Sequence, residues 1–109
     1  MNGFGNMGNM QKMLRQAQKM QEEMARLQET LKERTVESSA GGGAVRVVAT
    51  CAQEIRGIHL NKDAIDPEDP ELLEDLLLAA VNEALRMGRQ VAADEMEKIT
   101  GGMKLPGLG

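Results

Sequence analysis

Few side chains in this sequence could act in catalysis. His59 is the only histidine and Cys51 the only cysteine among the 109 residues. His59 lies between Ile58 and Leu60 in a strand-like run, and no serine or cysteine is placed in the sequence to be activated by it. A single cysteine also excludes an intrachain disulfide and a zinc site made of cysteines. We therefore expect that the protein is not an enzyme.

Two segments come near to ligand-binding motifs without matching them. The stretch "GGGAVR" lacks both the G-x-G-x-x-G spacing and the lysine of a phosphate-binding loop, so a tight turn between strands explains its glycines better. The carboxylates of "DAIDPEDPELLED" do not have the spacing of a calcium loop, and a capped helix start is the better interpretation. We expect no cofactor, no metal and no small-molecule substrate.

The basic side chains are the remaining candidates for chemistry, and their distribution is uneven. The chain has a formal net charge of −4, yet residues 1–21 contain Lys12, Arg15 and Lys19 and no acidic residue. A basic end on an acidic body can bind phosphates, because electrostatic attraction depends on the local surface rather than on the total charge. The alternative is an ordinary solvated helix face, which charge alone favours.

A long amphipathic helix must position these bases. In "MQKMLRQAQKMQEEMARLQETL" the apolar residues recur at alternating spacings of three and four, at positions 10, 13, 17, 20, 24, 27 and 31. These are the a and d positions of a heptad repeat, and we call them the seam. They predict a helix from about 9 to 34 whose seam contacts another helix. Such a helix is about 37 Å long, so part of it must project into water or lie on a second chain.

The heptad also places the bases away from the seam. With Met10 at position a, Lys12, Lys19 and Arg26 occupy position c and Arg15 occupies position f. Further arginines on a second predicted helix can extend this surface. It would contact mainly the phosphates of duplex DNA and would be weakly selective for sequence. The bases of that second helix are Arg86, Arg89 and Lys98.

Two alternatives stay open at this point. The bases can simply solubilise the helix and pair with Glu22, Glu23 and Glu29, which the pattern alone slightly favours. The protein can also be a protein-interaction or chaperone-like module, since methionines suit adaptable protein surfaces and the net charge is acidic. Binding of single-stranded nucleic acid by stacking is disfavoured, because Phe4 is the only aromatic residue.

The rest of the chain predicts three strands and a second helix. Strands are expected near 35–39, 44–51 and 54–60, with Arg46 and Arg56 exposed and one face covered by helix, namely Val45, Val47, Ala49 and Cys51. Asp69 and Pro70 are an N-cap and a first helical residue, and Gly101 and Gly102 end that helix. The row of small residues at 80, 84, 88 and 92 lets a second backbone approach closely. The fold class is α+β: a long helix, a three-stranded antiparallel meander and a long helix.

The remaining expectations concern boundaries and location. Residues 1–9 are expected to be a flexible N-terminal arm, 10–102 the DNA-binding domain and 103–109 a flexible C-terminal tail. The N-terminus lacks the features of a signal peptide, and no apolar run approaches the roughly 20 residues that span a bilayer. We expect a cytoplasmic protein.

Four segments resemble a known family in order and register. They are "GNMQKMLRQAQKMQEEM", "AGGGAVRVVATCAQEIRGIHLN", "LLEDLLLAAVNEALRMG" and "GGMKLPG". The chain resembles the YbaB/EbfC family of bacterial nucleoid-associated proteins over nearly its whole length. The resemblance implies a tweezers-like homodimer that binds double-stranded DNA through its helices and alters its conformation. In this sequence it predicts six DNA-binding residues: Lys12, Arg15, Lys19, Arg26, Arg86 and Arg89. It also implies location on the nucleoid and roles in nucleoid organisation, gene regulation and DNA protection. Where many members have an "NGKG"-like turn, this chain has "CAQE", so that hairpin is expected to differ.

Overall fold

Two long helices flank a three-stranded antiparallel sheet, as the fold class predicts. The computed structural model describes the backbone of residues 3–101 and the side chains of residues 8–101. The expected C-terminal tail, 103–109, lies outside the described residues. A short 3-10 turn, Lys62–Ala64, precedes the second helix. The main elements are α1 (Gly3–Glu33), β1 (Thr35–Ala40), β2 (Val45–Thr50), β3 (Ile55–Leu60) and α2 (Pro70–Thr100).

The start of α1 corrects one prediction. The helix begins at Gly3, and not near residue 9, so the segment 3–9 of the expected N-terminal arm has helical backbone. Glycine and asparagine are poor helix formers, but adding residues to an existing helix is much easier than nucleating one. No proline lies in this segment to interrupt the helix. The predicted start of the helix was therefore wrong because it relied on the helix propensities of single residues.

The sheet is a simple meander whose strand bounds agree with the prediction to within one residue. The strand order is β1-β2-β3, and both pairs are antiparallel. Gly41, Gly42 and Gly43 form the first turn, all with positive φ, a conformation that glycine adopts without strain. Arg46 and Arg56 are exposed, as expected. Local patterning was sufficient here because β-branched alternation and glycine turns act over short distances.

The turn between β2 and β3 is built without glycine. Gln53 adopts a positive φ of 70°, and its backbone N–H donates to the Thr50 carbonyl over 3.1 Å. The Thr50 hydroxyl accepts from the backbone N–H groups of Ala52 and Glu54. The Gln53 side-chain amide donates to the Leu85 carbonyl of α2 over 3.0 Å. Side-chain hydrogen bonds thus hold this turn in place on α2.

Caps at both ends set the bounds of α2, as the sequence predicted. The Asp69 carboxylate accepts from the Leu72 N–H, Pro70 is the first helical residue, and Gly101 ends the helix in the left-handed conformation with a φ of 64°. The buried residues of this helix are Ala80, Ala84 and Gly88. A Cβ on Gly88 would lie 3.0 Å from the Thr50 carbonyl oxygen. The small-residue row therefore receives a second backbone, that of β2.

Two apolar clusters form the core. One joins the sheet to α2 through Val45, Val47, Ala49, Ala80 and Ala84, which confirms the predicted inner face of β2. The other joins the two helices beside the end of β2: Leu27, Leu31 and Cys51 are buried, and they pack against Val36, Val91, Ala92 and Ile99. The part of the seam nearest the sheet therefore contacts another helix, as predicted.

The molecule is long because its helices overlap over only part of their length. It measures 82 × 24 × 15 Å, while each 31-residue helix is about 46 Å long. Since only the C-terminal end of α1 packs against α2, the N-terminal part of α1 extends beyond the rest of the molecule. None of the described helices has an apolar stretch long enough to span a bilayer.

Candidate nucleic-acid interface

The projecting part of α1 is exposed to solvent along nearly its whole length. We call residues 8–20 the prong and residues 21–101 the body. Every side chain from Gly8 to Lys19 is exposed, and only Met20 is half-buried. Both faces of the prong, the apolar and the basic, are therefore open to solvent in the single chain.

Four of the six predicted DNA-binding residues lie on α1, and none of the four has an acidic partner among the described residues. Lys12, Lys19 and Arg26 recur every seven residues, a rise of about 10.5 Å, and Arg15 lies on the same side of the helix. The expected alternative was pairing with neighbouring glutamates. However, the ion pairs of the described residues include none of these four cations. Their charges are free to meet an external anion.

The cations of the body are mostly neutralised. Arg34 and Lys98 both bind Glu95, at 3.4 and 3.0 Å, and together they lower the pKa of that carboxyl, the Lys98 hydrogen bond having the largest effect. The other pairs are Lys32 with Glu29, Arg46 with Glu37 and Arg56 with Glu54, each between 3.1 and 3.2 Å. Exposed pairs of this kind add little stability, but they reduce the positive charge that the body presents.

Arg86 and Arg89, the two predicted contacts on α2, are both held by side chains of the body. The Arg86 guanidinium donates two hydrogen bonds to Glu83, at 2.9 and 2.6 Å. This contact lowers the pKa of Glu83 and raises the pKa of Arg86. Arg89 donates to the side-chain oxygen of Gln53 over 3.1 Å. Within the described part of the chain, the structure thus separates the six residues into four cations on α1 without an acidic partner and two on α2 that are held by other side chains.

Sequence reasoning overlooked one free cation. Lys62 is exposed on the 3-10 turn after β3 and forms no ion pair with the described residues. It stands alone between Asn61 and Asp63, without the periodic spacing that identified the bases of α1. Nothing in the local pattern could have marked it.

The inner face of β3 is a second exposed surface, and it is apolar. Ile58 and Leu60 lie opposite Val47 and Val45 of β2, so the four side chains share one face of the sheet. The two valines are fully buried, whereas Ile58 is 48% exposed and Leu60 46%. α2 packs over β1 and β2 and leaves these two residues, the β3 patch, uncovered.

The chain is similar to known proteins over nearly its whole length. The model of the YbaB/EbfC DNA-binding family matches residues 7–103. A nucleoid-associated protein of Pelotomaculum thermopropionicum is 56% identical over 101 residues, which cover 93% of this chain and 96% of that protein. Another, from Moorella thermoacetica, is 58% identical over 102 residues, which cover 94% of this chain and 98% of that protein.

A solved structure shares the fold. The crystal structure of an uncharacterized protein from Helicobacter pylori superimposes with a TM-score of 0.68, covering 78% of this chain and 89% of that one. The two sequences are 22% identical over this region, so the likeness extends to the helix–sheet–helix architecture alone.

Proposed function

The chain belongs to the YbaB/EbfC DNA-binding family, and on this premise we propose that it is a nucleoid-associated protein of the bacterial cytoplasm that binds duplex DNA as a homodimer. Binding is largely to phosphates and alters the conformation of the DNA, in the service of nucleoid organisation, gene regulation or DNA protection. It involves no catalysis and no cofactor. The observation that carries the proposal is the row of four cations on α1 that form no ion pair with any of the described residues.

Unpaired cations on an exposed helix suit phosphate binding for a physical reason. Each lysine or arginine that neutralises a phosphate releases condensed counterions, and this release drives association. A cation that is already paired with a carboxylate must first lose that partner, so the paired cations of the body contribute less to phosphate binding. We therefore assign the main contact to Lys12, Arg15, Lys19 and Arg26. Arg86 and Arg89 are weaker contacts, since each has to leave a partner in the body.

The β3 patch supports the homodimer. An uncovered strand with apolar side chains at the edge of a sheet tends to associate with another chain unless it is covered. A two-fold contact covers the same patch on both copies at once and leaves no open end. The same half of the molecule also exposes Leu72 and Leu78 on α2, at 48% and 63%, which adds apolar area to the contact. Two copies then bring two sets of prong cations to one duplex, and binding gains from avidity.

The test compares two variants that remove the same charge. The prong variant replaces Lys12, Arg15 and Lys19 by Ala, and the matched body variant replaces Lys32, Arg46 and Lys98, which are paired in the structure. If each of the three prong cations neutralises one phosphate, each prong that contacts the duplex contributes about 2.7 to the salt slope and roughly 500-fold to the affinity at 0.1 M salt. The variant homodimer loses both prongs, so we expect the slope to fall by about 5.4 and the affinity by roughly 500-fold for each prong. The body variant is expected to bind within threefold of the wild type.

Two outcomes would contradict the proposal. Equal weakening of both variants would mean that total charge, and not the prong, determines binding. A wild-type affinity that does not change with salt would exclude the counterion mechanism. Light scattering on each variant checks that the dimer persists. Capture of proteins without any binding of duplex DNA at low salt would favour the protein-interaction alternative.

A further inference from the structure

We infer that the prong docks, through its seam, on the prong of a second dimer, so that dimers join one another and connect separate stretches of DNA. The inference rests on the proposed function, since it takes the homodimer and its DNA contact as given. It assigns a second role to α1. The basic face binds DNA, and the apolar face binds a second copy of the same helix.

The seam changes from buried to exposed along one continuous helix. Leu27 and Leu31 are 8% and 4% exposed, because they pack on α2. Met10 and Met13, on the same seam two to three heptads earlier, are 63% and 67% exposed, and the adjacent Leu14 is 62% exposed. The heptad spacing that fits α2 at one end continues unchanged into the prong. The prong therefore presents a surface shaped to pack against another helix.

The residues that flank the seam indicate which kind of helix can pack against the prong. Charged residues at the e and g positions normally select the partner of such a helix. In the prong these positions hold Asn9, Leu14 and Gln16, none of them charged. All the cations lie at c and f, on the far side of the helix. Two prongs can therefore meet seam to seam without bringing like charges together, and their basic faces stay open to DNA.

The proposed contact between two prongs lies far from the β3 patch, which forms the contact within the dimer. The first half of α2 packs on the sheet, whereas the residues that receive α1 are Val91, Ala92 and Ile99. Ile99 lies about 31 Å from Leu78 along α2. Leu27 packs in the same cluster as Ile99, and Met13 lies about 21 Å beyond Leu27 along α1. A chain with two separate two-fold contacts forms an open-ended series, with the two contacts alternating.

The contact is expected to be weak on its own. The exposed part of the seam spans about two heptads, and it contains Ala17 and methionines instead of the branched residues that give stable coiled coils. Association should therefore grow with protein concentration. Binding to one DNA molecule raises the effective concentration of prongs and should strengthen it. Assembly and DNA binding would then reinforce each other.

The test places one negative charge on the seam or beside it. Met13→Glu puts a carboxylate on the seam, and Gln18→Glu puts the same charge at an exposed b position, so both change the charge of the prong equally. Sedimentation from micromolar to millimolar concentration should show the wild type and Gln18→Glu rising to at least twice the mass of the dimer. Met13→Glu should remain a dimer. At protein concentrations too low for assembly, Met13→Glu should bind duplex DNA as Gln18→Glu does. In a DNA-bridging pull-down at higher concentration, Met13→Glu should fail to join two duplexes.

Three outcomes would overturn the inference. The wild type can stay a dimer at every concentration and fail to bridge DNA. Met13→Glu and Gln18→Glu can assemble to the same extent. Met13→Glu can also become a monomer, which would place the seam inside the dimer contact itself. Failure of the proposed function can be distinguished from these outcomes, because the wild type would then bind no duplex DNA or never form a dimer.

Discussion

The prong and the body are made from the same kinds of residue but use them in opposite ways. In the body, Leu31 is 4% exposed and Arg34 is paired with Glu95. In the prong, Met13 is 67% exposed and Arg15 takes part in none of the ion pairs among the described residues. One helix and one heptad pattern run through both regions. What differs is whether another part of the chain lies opposite.

The contrast indicates that the body serves mainly folding and the prong mainly binding. Burial and pairing in the body contribute to folding, because its core side chains are buried within the chain and most of its described cations have acidic partners. The prong contributes little to folding, and its groups stay available to external partners. Substitutions should therefore separate stability from binding according to the region in which they fall. Three substitution pairs follow, from the largest expected effect to the smallest: the first two compare the two regions, and the third tests whether a body cation is held by its partner.

Truncating the seam should have a large effect in the body and almost none in the prong. Leu31→Ala is expected to lower the free energy of unfolding by about 2–5 kcal/mol, because it leaves a cavity between α1 and α2. Met13→Ala is expected to change it by less than about 0.5 kcal/mol, since the side chain is exposed. Urea unfolding at one protein concentration measures both. A comparable loss in the two variants would mean that the prong is packed in solution as firmly as the body.

Two helical glycines give a second test. Adding a methyl group should destabilise the protein at the glycine of the body and stabilise the helix at the glycine of the prong. In Gly88→Ala the new Cβ would lie 3.0 Å from the Thr50 carbonyl oxygen and 3.3 Å from the Cys51 Cα. Overpacking costs about 1–3 kcal/mol, and the gain of roughly 1 kcal/mol in helix propensity offsets only part of it. We expect a net loss of up to about 2 kcal/mol in the free energy of unfolding, measured by urea unfolding.

The matched variant is Gly8→Ala, where a Cβ would meet nothing within 4 Å. The helix-propensity gain then acts alone and should slow amide exchange in the prong by up to about fivefold. Global stability should hardly change, since the prong can unfold locally. If Gly88→Ala stabilised the protein, the close approach of β2 to α2 would be wrong. If Gly8→Ala left amide exchange unchanged, the helix at this position would not limit exchange.

Much of the fold was predictable because its signals are local. The three strands follow from β-branched alternation interrupted by Gly41–Gly43, and the ends of α2 follow from Asp69, Pro70 and Gly101. The start of α1 was not predictable in this way. Asparagine and glycine favour an end to the helix there, yet the helix continues to Gly3 because extending it costs less than the propensities of single residues indicate.

The candidate site was predictable in its residue types but not in its surroundings. The heptad placed Lys12 and Lys19 correctly on one side of α1. Which cations are free depends on partners far along the chain: Arg34 meets Glu95 across 61 positions, and no local pattern indicates that contact. The pairing of Arg86 with Glu83 at i,i+3 is different, because this spacing is a known helical pair and could have been identified in the sequence.

That last pair provides the smallest and most specific test, a pH dependence. The hydrogen bond from Arg86 lowers the pKa of Glu83 from its ordinary value of 4.5, so folding favours the charged carboxylate. The resulting stability is present above pH 4.5 and is lost as the pH falls through the lowered pKa of the folded protein. Urea unfolding should therefore show wild type slightly more stable than Glu83→Gln at pH 7, with a smaller difference at pH 3. Glu97→Gln is the control: Glu97 lies on the same helix without an ion pair among the described residues, so it reports the loss of charge alone. A Glu83→Gln difference that matched the control at both pH values would mean that Arg86 is as free as the cations of the prong.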